Sequence, residues 1–315
     1  MILSYNLPRF CLNTFWNPNA TTFANQTFVG TSPYGIFVNS NNSIYIPNTN
    51  TAQIHIWQNE NHLNWTKIIS GNLSDPQSIF VTTNGDIYVE NGYRRRVDKW
   101  IVENETWISV VMNITSQCSG LFIDIYESLY CSVRYDNRVD KKWSNGTTAI
   151  VAGTGVRGSE SDMLNYPKGI FVDINLDLYV ADSGNNRIQL FRLNQRNGIT
   201  VAGNGSAKIT IELYYPAGIV LDGDRHIFIV DHGNHRIIGS DENGFRCIFG
   251  CSGGGPTNDK LYGPIAMSFD SYGNIYVTDN DINRVQKIVK NEICGKQLHL
   301  ISFKAQTKFI FSFIQ

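Results

Sequence analysis

One short segment returns six times along the chain, and that repetition restricts the fold more than any other feature. Its clearest copy is Pro167-Lys168-Gly169-Ile170-Phe171-Val172. Counterparts begin at Pro33, Pro76, Pro216 and Pro264, and at Cys118, where Cys stands in for Pro. Twelve residues after each start comes an aromatic inside a second apolar run: Tyr45, Tyr88, Tyr130, Tyr179, Phe228 or Tyr276. Eight residues further on stands Gln53, Arg96, Arg138, Arg187, Arg236 or Arg284. Two offsets kept through six copies, spaced 43, 42, 49, 49 and 48 residues apart, describe one structural unit stacked six times.

Each unit reads as four short strands. Runs of β-branched and aromatic residues are bounded by Gly, Asn and Asp, which favour tight turns. In the fourth copy the strands are predicted at Gly169 to Asp173, Leu178 to Ala181, Arg187 to Arg192 and Ile199 to Ala202, and no stretch forms a persuasive amphipathic helix. The first strand is almost continuously apolar, as suits a strand packed on both faces. A lone sheet of this kind exposes two apolar faces, and radial stacking buries them. The predicted fold is therefore all-β: a six-bladed β-propeller of four-stranded antiparallel blades. After Arg284 to Ile288 no outer strand follows, yet Asn19 to Ala24 looks like the outer strand of the fourth copy, Asn197 to Ala202. The N-terminal strand 19–24 is thus expected to complete the last blade. The organisation is a lead-in over 1–14, a propeller over 15–290 and a poorly defined tail over 291–315. Its repeats lie near 32–71, 75–112, 117–153, 166–203, 215–250 and 263–290.

At this level the residues resemble the NHL-repeat family. The signature is carried best by Tyr166 to Asp173 with Leu178 to Ile188, then by Tyr215 to Ile237 and Gly263 to Val285. The first three copies depart from it: Ile46-Pro47-Asn48 replaces Val-Ala-Asp, and Gln53 replaces the Arg. The resemblance implies a six-bladed propeller over about residues 15–290 but leaves function open, because fold alone does not specify it. NHL propellers serve as binding modules in ubiquitin ligases and RNA regulators, as extracellular interaction domains, and as peptidyl-hydroxyglycine lyases. The lyases hold zinc through histidines from separate blades. Here the positions matching His235 are Ala52, Arg95, Asn137, Asn186 and Asn283, so that ligand set is missing.

A net charge near −1 gives no global attraction for nucleic acid or an anionic membrane. Met1 to Phe10 lacks the pattern of a signal peptide, and Leu298 to Ile314, interrupted by Lys304, Gln306 and Lys308, is no membrane span. Two features nevertheless point outside the cytosol. Nine Asn-x-Ser/Thr sequons occur, at Asn19, Asn25, Asn41, Asn64, Asn72, Asn104, Asn113, Asn145 and Asn204. Six cysteines suggest disulfides. Cys247 and Cys251 would close a small loop, Cys118 and Cys131 bracket a hairpin, and ring closure would bring Cys11 near Cys294.

The remaining candidates divide into scaffold and chemistry. Asp182 with Arg187, Asp231 with Arg236 and Asp279 with Arg284 recur in successive copies, which marks them as structural pins of the turn between strands. His232 and His235 form the one local His pair, read as turn residues, and no metal or other cofactor is expected. Asp124, Asp173, Asp222 and Asp270 end the inner strands, where turn formation explains them better than calcium. Gly153 to Gly158 fits Gly-x-Gly-x-x-Gly but opens no helix. Tyr93, Arg94 and Arg95, with Lys141 and Lys142 one blade on, form the one basic and aromatic cluster, a possible binding patch. The reading that follows is a non-enzymatic propeller, extracellular or lumenal, presenting a channel mouth to a protein or glycan. An intracellular substrate-recognition propeller and a lyase-like enzyme are the alternatives.

Overall fold

Short β-branched runs cut by Asn, Asp and Gly fold as strands joined by tight turns. The computed structural model describes residues 3–11, 14–58, 67–71, 73–207 and 210–291, and in it these runs form six four-stranded antiparallel sheets. From inner to outer strand, the first blade is Phe37–Val38, Ile44–Asn48, Gln53–Trp57 and Lys67–Ser70. The second is Pro76–Val81, Ile87–Asn91, Arg96–Ile101 and Thr106–Asn113, and the third is Cys118–Ile123, Leu129–Val133, Arg138–Lys142 and Thr148–Ala152. The fourth, Pro167–Val172, Leu178–Asp182, Arg187–Phe191 and Ile199–Gly203, matches its expected strands to within two residues at every end. The fifth is Pro216–Leu221, Ile227–Asp231, Arg236–Asp241 and Gly244–Phe249. Each inner strand packs on the next, and the sixth on the first, so the ring closes.

Closure uses both ends of the chain. In the sixth blade Pro264–Phe269, Ile275–Asp279 and Arg284–Ile288 are completed by Thr21–Ala24, with Thr21 opposite Lys287 and Ala24 opposite Val285. A second clasp pairs Phe15–Trp16 with Lys290–Asn291. The buried indole of Trp16 donates to the carbonyl of Gly273 at 3.0 Å. The early copies are not set apart by irregularity: the first inner strand spans only Phe37–Val38, but register shifts occur in each of the second to sixth blades and in none of the strand pairs of the first.

The glycine of the repeat has a steric cause. A Cβ on Gly120 would lie 2.6 Å from the carbonyl oxygen of Lys168, and one on Gly169 would lie 2.5 Å from that of Ala217. Neighbouring inner strands approach too closely there for a side chain. The second blade tolerates Ser78 at this position because its hydroxyl donates to the Cys118 carbonyl at 2.8 Å.

The one α-helix among the described residues is the single turn Gln26–Val29, capped by Asn25, and none is long and apolar enough to cross a membrane. Disulfides join Cys118 to Cys131, with Cα atoms 5.5 Å apart, and Cys247 to Cys251, with Cα atoms 5.9 Å apart. Cys294, most of the C-terminal tail, and the sequons at Asn64 and Asn72 lie outside the described residues. The other seven sequon asparagines are all exposed.

Candidate functional site

The turns between second and third strands gather at one end of the ring, and in three blades they are built on the repeated Asp and Arg. Asp182 is fully buried; one carboxylate oxygen accepts the Asn165 amide at 2.7 Å, and the other accepts Arg187 Nε at 2.7 Å and Asn185 Nδ2 at 2.8 Å. The Arg187 guanidinium then donates to the carbonyls of Ser159, Glu160 and Met163, fixing the loop that arrives from the third blade. Asp279 with Arg284 repeats the arrangement onto Pro256, Thr257 and Lys260. Asp231 with Arg236 repeats it onto Glu212.

In two of the three blades where the sequence departs from the pattern, the carboxylate has moved rather than vanished. Asn91 and Val133 occupy the Asp position of the second and third blades. There Arg96 pairs with Asp98 at 2.9 Å, and Arg138 with Asp140 at 2.8 Å, two residues along the third strand.

The other candidates are likewise used by the scaffold. Asp124, Asp173, Asp222 and Asp270 each accept two backbone N–H groups of the turn that follows the inner strand. His235 takes the left-handed position held by asparagine in three other blades, and its Nδ1 accepts the Gly263 amide at 3.0 Å. That is the role Asn186 plays toward Tyr215. His232 Nδ1 lies 3.1 Å from the Pro264 carbonyl, and burial draws its pKa down. Among the described residues no group of three or more His, Cys, Asp or Glu is placed to hold a metal ion.

The basic cluster read from the sequence divides. Tyr93, Arg94 and Arg95 stand exposed on the turn end. Lys141 does not join them: it is buried in the third blade, 3.0 Å from Asp124 and 2.5 Å from the Tyr130 hydroxyl. Lys142 is half-buried and donates to the Val111 carbonyl. Two lysines adjacent in sequence on a strand belong to opposite faces of the blade, and neither is offered with the arginines.

The channel between the inner strands is open at the turn end and closed at the other. Residues 4–10 cross the closed end, bound by Ser40 N–H to the Ser4 carbonyl, by Asn6 to the carbonyls of Asn39 and Phe269, and by Gly223 N–H to the Pro8 carbonyl. Tyr5 sits edge-on to Phe80, Phe122 and Phe171, with ring centres 5.4 to 6.2 Å apart. Above this floor is a mainly apolar cavity of about 140 Å³. Its mouth carries Lys168 and Arg134. Burial, reinforced by the Arg134 charge, draws the Lys168 ammonium down to about 8, with Asp281 opposing. Arg134 lies over the rings of Tyr135 and Tyr166, and its buried Nε has no hydrogen-bond partner among the described residues. Around the rim Tyr93, Tyr135, Tyr214, Tyr215 and Tyr262 are 45 to 81% exposed. Sequence reading passed over Lys168 and Arg134. Aligning the residue after each repeat's first position, Tyr34, Gln77, Ser119, Lys168, Ala217 and Ile265, isolates one cation in six and would have found Lys168.

One buried acid stands apart from the repeat. Glu90 is fully buried, beside the amides of Gln77 and Cys118 but without a well-formed hydrogen bond, and burial pushes its pKa up to about 8. The unfolded chain releases this proton near 4.5 and the folded chain near 8, so the group removes stability as pH rises between those values. Glu90→Gln is expected to gain a few kcal/mol over wild type at pH 8 and little at pH 4. Urea unfolding at both pH values checks this, and a pH-independent difference would refute it.

Comparison with known proteins agrees with the geometry. The NHL repeat model matches residues 164–191 and 213–239, the fourth and fifth repeats. No curated protein matches the sequence. Among solved structures, the chain is similar to a structural-genomics protein of unknown function from Bacteroides thetaiotaomicron, at 12% identity over 87% of this chain and 76% of that one, with a TM-score of 0.68. It is similar to virginiamycin B lyase from Staphylococcus aureus, at 14% identity over 86% and 98% of the two chains, TM-score 0.59. It is also similar to an auxiliary nutrient binding protein from Bacteroides thetaiotaomicron, at 13% identity over 92% and 76%, TM-score 0.57. At these identities the likeness speaks for fold alone. The chain is therefore a six-bladed β-propeller that carries NHL repeats at residues 164–191 and 213–239.

Proposed function

We propose that this chain is a non-catalytic interaction propeller, extracellular or lumenal, that receives a protein or glycan partner on the turn end of the ring. The rim carries the reading: five exposed tyrosines from four blades surround the channel mouth, with Arg134 laid on the ring of Tyr135 and Arg157 on that of the half-buried Tyr166. Tyrosine offers large amphipathic contact area at low entropy cost, and Tyr and Arg dominate the energies of protein interfaces. Two disulfides and seven exposed sequon asparagines support an oxidising, glycosylating compartment. In the same reading Cys11 and Cys294 are joined across the ring closure.

Protein made through a secretory pathway should carry glycosidase-sensitive mass on several of the exposed sequons and no free thiol. Six free thiols in protein from its native source would remove the extracellular setting. The rim itself is tested by capturing partners from extracellular fluid and from a glycan array with wild type and with a Tyr214→Ser, Tyr215→Ser variant. Loss of a hot-spot pair is expected to weaken retention about 30-fold or more. Equal retention by the two proteins would overturn the reading.

A further inference from the structure

Below the rim, the channel combines two features that do not serve the scaffold. Its wall is apolar, with Ile79, Leu121 and Ile170 above Phe80, Phe122 and Phe171, and Tyr5 seals the bottom. Two cations stand at its mouth, and neither Lys168 nor Arg134 has an ion-pair partner among the described residues. In the repeat the arginines of the third strands are all tied to carboxylates or backbone carbonyls, whereas Arg134 opens a turn and stands over the ring faces of Tyr135 and Tyr166 with the like charge of Lys168 nearby. Asp281 acts on Lys168 without forming an ion pair with it, and a cation drawn out of water with no counter-charge in contact is unfavourable, a cost that an anion arriving at the mouth relieves.

We propose that the channel is a binding site for a small monocarboxylate with an apolar tail, its carboxylate held between Lys168 and Arg134 and its tail lying against the aliphatic and phenyl wall. The inference rests on the open end described for the rim but concerns a different depth and a different ligand. Charge complementarity selects the head. The wall selects the tail, since it offers few polar groups to a sugar. Closure by residues 4–10 makes the site a blind pocket, so tail length has an upper limit set by Tyr5. The lowered pKa of Lys168 fits this arrangement, because a carboxylate bound beside the ammonium would raise it again.

Calorimetric titration of the full chain with butanoate, hexanoate and octanoate, and with neutral octanamide, tests the proposal. Each methylene added is expected to tighten binding about fourfold until the tail meets Tyr5. Octanamide should bind at least tenfold more weakly than octanoate, and Lys168→Met or Arg134→Met should cost octanoate about 10- to 100-fold. Ser119→Trp keeps both cations but fills the mouth, and should abolish binding even if a cation variant folds poorly. No binding of any acid to wild type, equal affinity for acid and amide, or full affinity in Ser119→Trp would each overturn the inference. Tyr215→Ser should leave the titration unchanged while weakening partner capture, so the channel and the rim can fail separately.

Discussion

Arg187→Leu is expected to destabilise the propeller by about 3–5 kcal/mol, the range found when one partner of a buried ion pair is removed. The cost has two parts. Asp182 is fully buried, and burial already raises its pKa despite Arg187, Asn185 and the Asn165 amide, so loss of the guanidinium leaves its carboxylate under-compensated. The carbonyls of Ser159, Glu160 and Met163 also lose their donors, which loosens the loop between the third and fourth blades. Asp182→Asn combined with Arg187→Leu should recover part of the loss, because the orphaned charge is gone while the loop stays unpinned. Arg138→Leu serves as the comparison. Its partners Asp136 and Asp140 keep some contact with water, so about 1 kcal/mol is expected. Denaturant unfolding of the three proteins decides the matter; equal losses at Arg187 and Arg138 would show that burial of the carboxylate is not what makes the pin strong.

The repeat made the ring legible because each blade must solve the same packing problem with nearly the same residues. Pro and Gly mark where inner strands begin and touch, and the Asp and Arg pair marks where the second strand turns into the third. Ring closure could be read for the same reason: Thr21–Ala24 supplies the outer strand that the sixth copy lacks. What the pattern hides is compensation. Val133 in place of the usual Asp reads as loss of a pin, but Asp140 restores it two residues beyond Arg138 on the same face of the third strand, a position that comparing the repeat's own Asp does not inspect. The binding patch was misplaced for a related reason. Lys141 beside Lys142 looks like a surface pair, yet alternation along the strand buries Lys141 against Asp124 and Tyr130. Lys168 went unnoticed because it stands inside the best-formed repeat, where regularity is read as scaffold.

With the proposed Cys11–Cys294 bond formed, Cys11→Ser is expected to cost about 5 kcal/mol under oxidising conditions, the largest effect of any single cysteine in the chain. A propeller has one seam, and here the sixth blade joins the two ends of the chain through Thr21–Ala24 on Arg284–Ile288 and Phe15–Trp16 on Lys290–Asn291. Those few strand pairs must oppose the entropy released when the ends separate, because all other blades are continuous in sequence. Cys11 lies four residues before Phe15, and Cys294 three residues after Asn291. A bond between them closes nearly the whole chain, where the entropy model gives its largest value, whereas Cys247 to Cys251 closes four residues and is worth about 2 kcal/mol in the same model. Denaturant unfolding of Cys11→Ser and Cys251→Ser, with and without reductant, separates the two. Reductant should lower wild type at least to the level of Cys11→Ser and should narrow the gap between the variants. If Cys11→Ser were as stable as wild type without reductant, the strand pairs alone would be holding the seam, and hydrogen exchange would then show Thr21–Ala24 protected as strongly as the outer strands of the continuous blades.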